Sequence, residues 1–155
     1  MKKLINVVIA IVVIIGVGFL VYQILPEYPQ NFVKSFIQPL TDSEAKLRIS
    51  QVQGIRYDKL DNATYKTILE KYTSQPAWVY EKDGTTEIVT YYGRSATITI
   101  KDVEGHEDHF YIKEPIKAVF KISGNNFTMD FYVKEILFDD ALKEVALEQL
   151  YSGGN

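Results

Sequence analysis

Residues 77–92 read AWVYEKDGTTEIVTYY, and at Ala77 the spacing of the apolar residues changes from helical to alternating. Ala77 to Lys82 and Thr85 to Tyr92 flank Asp83-Gly84, the strongest short-range signal for a hairpin. Downstream the alternation continues. Gly93-Arg94 is expected to turn the chain into a third strand, Ala96 to Asp102, whose Ala96, Ile98 and Ile100 point one way while Thr97, Thr99 and Lys101 point to a wet face. A loop over Val103 to Glu107 leads to Asp108 to Lys113, and Pro115 breaks the register. Ile116 to Ser123 then pairs through Gly124-Asn125-Asn126 with Phe127 to Leu137, where a switch of the apolar side near Glu135 predicts a bulge. Six strands joined by tight turns make an antiparallel meander.

Helices flank the meander. Thr41 and Glu44 form a capping box for a helix to Gln53 that buries Ala45, Ile49 and Val52, with Gly54 as its left-handed stop. Asp61 is placed to cap a second helix, whose Tyr65, Ile68, Leu69 and Tyr72 form a buried stripe until Pro76. After the meander Asp139 caps a closing helix, with Leu142, Val145, Ala146, Gln149 and Leu150 facing inward and Gly153-Gly154 ending it. Before all of these, Phe32, Val33, Phe36 and Ile37 recur at helical spacing between Pro29 and Pro39, so one face of a short helix there is apolar.

Further out, Leu4 to Leu25 is a run of 22 residues without a charge, preceded by Lys2 and Lys3 and followed by Pro26 and Glu27. As a helix it measures about 33 Å, enough to cross a hydrocarbon core of about 30 Å. It exceeds the apolar core of a cleaved signal, and no small-x-small cleavage pattern follows it. The paired lysines place the N-terminus in the cytoplasm. The expected organisation is residues 1–3 cytoplasmic, 4–25 crossing the membrane, 26–40 a juxtamembrane linker, and 41–155 a domain outside the cytoplasm.

Beyond Pro26 the chain carries fifteen basic and twenty acidic residues, a net charge of −5. Its three arginines, Arg48, Arg56 and Arg94, are scattered, so neither nucleic acid nor an anionic membrane surface is an expected partner. The absence of cysteine excludes disulfides, thiol nucleophiles and thiolate-bound metal. No GxSxG, HExxH, P-loop or dinucleotide fingerprint occurs, and neither an enzymatic activity nor a cofactor is expected.

The one polar cluster is Glu104, His106, Glu107, Asp108 and His109. His106 and His109 with carboxylates between them are the residue types that ligate a divalent cation, but in a loop entering a strand residues three apart diverge, and a charged loop tip also serves solubility. Asp139-Asp140 reads as a cap. Tyr91, Tyr92, Tyr111 and Tyr132 are candidates for an aromatic surface on the sheet, with core packing as the competing use of strand aromatics.

The expected fold is α+β: a transmembrane helix, two helices, a six-stranded meander and a C-terminal helix. In element order it is similar to the nuclear-transport-factor or cystatin type of curved sheet, or alternatively to a pleckstrin-like barrel with the two early helices as an appendage. Such outlines host many functions. The expected role is a non-catalytic interaction module of a bacterial cell-envelope complex, anchored in the bilayer through Leu4 to Leu25 and bound to another envelope protein. The alternative is a sensor holding a small apolar or peptidic molecule between sheet and helices.

Overall fold

The computed structural model describes residues 27–100, 109–124 and 126–153. The run Leu4 to Leu25 lies outside them, and among the described residues no helix is long and apolar enough to cross a membrane. The chain divides into two compact units, residues 1–30 and 31–155, and the fold below is that of the second.

The architecture is α+β. In chain order the elements are α1 (Glu27–Thr41), α2 (Ser43–Gly54), β1 (Arg56–Tyr57), β2 (Ala63–Thr64), α3 (Tyr65–Glu70), β3 (Ala77–Asp83), β4 (Thr86–Ile100), β5 (His109–Ser123), β6 (Asn126–Val133), β7 (Ile136–Phe138) and α4 (Asp140–Ser152). Strands β1 and β2 form a separate two-stranded ladder, and β3 to β7 form one antiparallel sheet in sequence order.

The sheet has five strands, not six, and three local causes account for the difference. Gly93-Arg94 does not turn the chain. Instead β4 runs through it, with Gly93 paired to Ile116 and Ala96 to Glu114, which leaves one extra residue on β4. From Ala96 to Ile98 the partner moves from Glu114 to Tyr111, so the next extra residue is on β5, where Lys113 takes φ 55°. Two bulges of opposite sense therefore restore the register. They also admit Pro115 inside a strand, because the proline falls in the irregular stretch where no ladder hydrogen bond from its nitrogen is required. At the far end the expected bulge near Glu135 is a tight turn: Val133 pairs with Ile136, and Lys134 and Glu135 both have positive φ, 49° and 63°.

That turn is held by two side chains poorly suited to it. A type I′ turn favours Asn-Gly, because a Cβ at positive φ is strained by about 1–2 kcal/mol per residue. Replacing Lys134-Glu135 by Asn-Gly should raise stability by roughly 1–2 kcal/mol in urea denaturation. The exposed ion pairs lost, Lys134 to Glu114 (3.1 Å) and Glu135 to Lys117 (2.9 Å), offset little of that gain. An unchanged or lowered midpoint would rule out this turn geometry. In the first hairpin Asp83 pairs with Thr86, so the loop is Gly84-Thr85, one residue later than the sequence suggests, with φ 59° at Gly84.

The helix caps are shifted similarly. Helix α1 extends through Thr41, whose Oγ1 donates to the Ile37 carbonyl (3.1 Å), so Asp42 caps α2 by accepting from the Ala45 amide (3.0 Å). Gly54 is the last helical residue and not a left-handed stop; the Ile55 amide donates to Val52. Asp61 and Asn62 take positive φ in the turn between β1 and β2, leaving Thr64 to cap α3. Asp139 does cap α4, accepting from the Leu142 amide (2.9 Å). Gly153 ends α4 at φ 94°, with the Tyr72 ring 2.8 Å from where a Cβ would sit.

One face of the sheet carries the core. Trp78, Tyr91, Ala118, Phe131 and Phe138 are successive cross-strand neighbours on it, and Tyr80, Val89, Phe120 and Met129 form the next row. Helices α2, α3 and α4 cover this face through Ala45, Ile49, Val52, Tyr65, Ile68, Leu69, Ala146, Leu147 and Leu150. Tyr65 is buried among Tyr57, Phe120 and Phe127. Burial, reinforced by Tyr57 and Asp58, pushes its hydroxyl up to about 12.

A tyrosine with a raised folded-state pKa contributes fully below its unfolded value of about 10 and loses that contribution as pH rises toward 12. At about 1.4 kcal/mol per unit, discounted for the hydroxyl's partial contact with solvent, the wild-type protein should lose roughly 1–2 kcal/mol between pH 10 and 12 that Tyr65→Phe retains. Parallel denaturant titrations of the two proteins across that range check this, and identical alkaline losses would overturn it.

Candidate functional site

Helix α1 meets the domain with its polar side. The Gln38 side-chain amide donates to the Tyr80 carbonyl (2.7 Å) and accepts from the Tyr80 amide (2.9 Å), occupying the free edge of β3 as a neighbouring strand would. Lys34 pairs with Glu81 (2.7 Å) on the same strand. Residues 34 and 38 share one helical face, so the stripe at 33, 36, 37 and 40 points elsewhere. Phe36, Ile37 and Leu40 are 61%, 53% and 86% exposed, and Val33 is exposed beside them. An ordinary surface helix buries such a stripe.

Next to the stripe, α1, α2 and the start of β3 enclose a cleft of about 350 Å³. Phe36, Pro39, Ile49, Pro76 and Trp78 supply its apolar surface, and Ser35, Lys46, Ser50 and Gln53 its polar surface. The Trp78 indole donates to Glu70 (2.7 Å), which fixes the ring. Pro39 cannot donate to the Ser35 carbonyl, so α1 is missing a backbone hydrogen bond at this cleft. Ile49 was legible as a core residue. Its second use was not, because it depends on where α1 docks. A smaller hollow of about 220 Å³ lies between α2 and the β5–β6 turn, lined in part by Arg48, Ile55, Ile122 and Phe127.

Two ion pairs lie near the site. Arg48 pairs with Glu87, its Nη2 donating to the carboxylate (3.1 Å) and its Nε lying 2.8 Å from the other oxygen without hydrogen-bond geometry, while Lys82 joins Glu44 (3.1 Å). These bonds tie α2 to the β3–β4 hairpin. Tyr80 is buried beside them, and burial together with Glu87 and Glu44 pushes its hydroxyl pKa up. The arrangement sets an apolar surface beside these ion pairs.

Of the polar cluster singled out above, Glu104, His106, Glu107 and Asp108 lie outside the described residues. His109 opens β5 opposite Ile100. Among the described residues no group of three or more His, Cys, Asp or Glu is placed to hold a metal ion. The four candidate tyrosines do not form one surface. Tyr91 is fully buried, its hydroxyl donating to the Leu69 carbonyl (2.7 Å) and bonded to Thr73, and Tyr111 packs on Phe138 at the core face. Tyr92 and Tyr132 lie on the opposite face with Lys117 between them, its ammonium 4.8 Å from the Tyr132 ring. The physical reason is strand alternation: 91 and 92 cannot share a face, and the two bulges carry 111 to the face of 91.

The sequence missed a second apolar surface at the other end of the sheet. Among the described residues strand β7 pairs with β6 alone, and its Ile136 and Leu137 are about half exposed. Phe110 and Ile112 on β5 are also exposed. No family model matches the chain, and neither curated proteins nor solved structures yield a match.

Proposed function

We propose that this chain is a single-pass, membrane-anchored interaction module whose domain lies outside the cytoplasm, a non-catalytic subunit of a bacterial cell-envelope complex. The apolar run Leu4 to Leu25 with its paired lysines supports the anchor, and the cysteine-free acidic domain suits the envelope. The observation that carries the interaction is the contrast between the two sheet edges. Gln38 occupies the edge at β3, whereas β7 ends the sheet with Ile136 and Leu137 turned to solvent. An edge strand flanked by exposed apolar side chains is a template for strand addition by another protein.

A photo-crosslinking residue at Leu137 in the full-length protein, activated in intact cells, should capture one defined envelope protein. The same residue at exposed Glu148 should not. Silence from Leu137, or equal capture from both positions, would remove the reading. Protease added to spheroplasts should digest the domain, and its survival would remove the topology.

The cleft beside α1 favours a second reading, binding of a small apolar or peptidic molecule, since Lys46 joins its apolar lining. A ligand that raises the melting temperature of the wild type but not of Lys46→Ala would establish it.

A further inference from the structure

We infer that α1 lies in the interface of the same bilayer that the N-terminal run crosses, with Val33, Phe36, Ile37 and Leu40 inserted among the acyl chains. This inference rests on the anchor proposed above.

Three observations identify lipid as what covers the stripe. Val33 follows Leu25 by eight residues, so at no more than about 3.6 Å per residue it lies within roughly 29 Å of the end of the run. The polar face of α1 is already engaged by Tyr80 and Glu81, which leaves Val33, Ile37 and Leu40 exposed, with Phe36 at the mouth of the cleft and also exposed. Residues 26–41 contain one acid, Glu27, and one base, Lys34. Although the region beyond Pro26 carries a net charge of −5, this segment is neutral, and it can approach a headgroup layer without like-charge repulsion.

Protein is the weaker candidate. Four side chains over two turns make a patch of a few hundred Å², short of the roughly 800 Å² per partner of a standard interface. Lipid needs no complementary surface, and an apolar helical stripe of this kind partitions at the acyl–headgroup boundary.

The absence of cysteine makes the test direct. The full-length chain carrying Leu40→Cys, labelled with an environment-sensitive fluorophore and reconstituted in phosphatidylcholine vesicles, should lose most of its fluorescence to nitroxide quenchers attached to the lipid chains. The same label on Glu148→Cys should not. Adding Phe36→Ser and Ile37→Ser to the Leu40→Cys protein should restore the fluorescence. Quenching at residue 40 by aqueous iodide as strong as at residue 148 overturns the inference, and so does shielding from both quenchers, which would mean that protein covers the stripe. If alkaline carbonate strips the chain from the vesicles, the anchor fails and the inference with it. Retention with a water-exposed residue 40 removes the inference alone.

Discussion

Phe120→Ala should cost the domain about 3–5 kcal/mol, the largest effect expected of any single truncation in this chain. Phe120 is fully buried on the central strand β5, between Val89 of β4 and Met129 of β6. Its ring lies 5.1 Å from Tyr65, 6.1 Å from Trp78 and 6.0 Å from Phe127, centroid to centroid, and so joins α3 to three strands. Truncation removes the transfer free energy of the ring and leaves a cavity that three other aromatic rings cannot easily fill. A domain of this size has a total stability of roughly 5–15 kcal/mol, so the variant should be marginal, with a urea midpoint reduced by a third or more. Phe110→Ala is the control on the same strand. Phe110 is exposed, and its truncation should stay within about 0.5 kcal/mol. Equal costs at the two positions would mean that the assignment of faces on β5 is wrong.

That assignment is also where the sequence reading succeeded and where it stopped. Alternation from Ala77 onward indicated an antiparallel meander, and 3.6-residue spacing found the buried Tyr65, Ile68 and Leu69, because each pattern reports directly on which side chains face the core; Tyr72, expected in the same stripe, lies past the end of α3 at Glu70 and is exposed. Strand count was harder to read. Gly93-Arg94 and Pro115 are local breakers, and a bulge on each of β4 and β5 absorbs them only because the two strands are already paired, a tertiary fact. Lys134-Glu135 carries no turn signal, since neither residue favours positive φ; pairing of Val133 with Ile136 imposes the turn. The exposed stripe of α1 was visible as a pattern from Phe32 to Ile37. Which way it faced was not, because that depends on Gln38 finding an unpaired strand edge 42 residues away.

Gln38 has a counterpart, and the second large effect is expected there. Strand β3 begins at Ala77 opposite Tyr92, whereas β4 continues to Ile100, so among the described residues Thr99 has no strand neighbour on that side. Helix α4 fills the gap. Gln149 accepts from the Thr99 amide (2.7 Å), and its Nε2 donates to the Thr99 carbonyl. One primary amide thus satisfies the donor and acceptor that a sixth strand would have met. Gln149→Leu keeps the size of the side chain but leaves both half-buried groups unpaired, at about 1–2 kcal/mol each, for a total loss of roughly 2–4 kcal/mol. The loss should be local in its signature: hydrogen exchange at the Thr99 amide should lose protection before the rest of β4. Gln149→Glu separates hydrogen bonding from packing. Its carboxylate can accept from the amide but repels the carbonyl, so the variant should be weakened at neutral pH. Stability relative to wild type should return on acidification, as protonation supplies the missing donor. Gln38→Leu should cost less, since water reaches the β3 edge once α1 lifts, and its mark should be protease cleavage within α1 with the core still folded. If Gln149→Leu proved as mild as Gln38→Leu, α4 would be held to the sheet by Ala146, Leu147 and Leu150 alone.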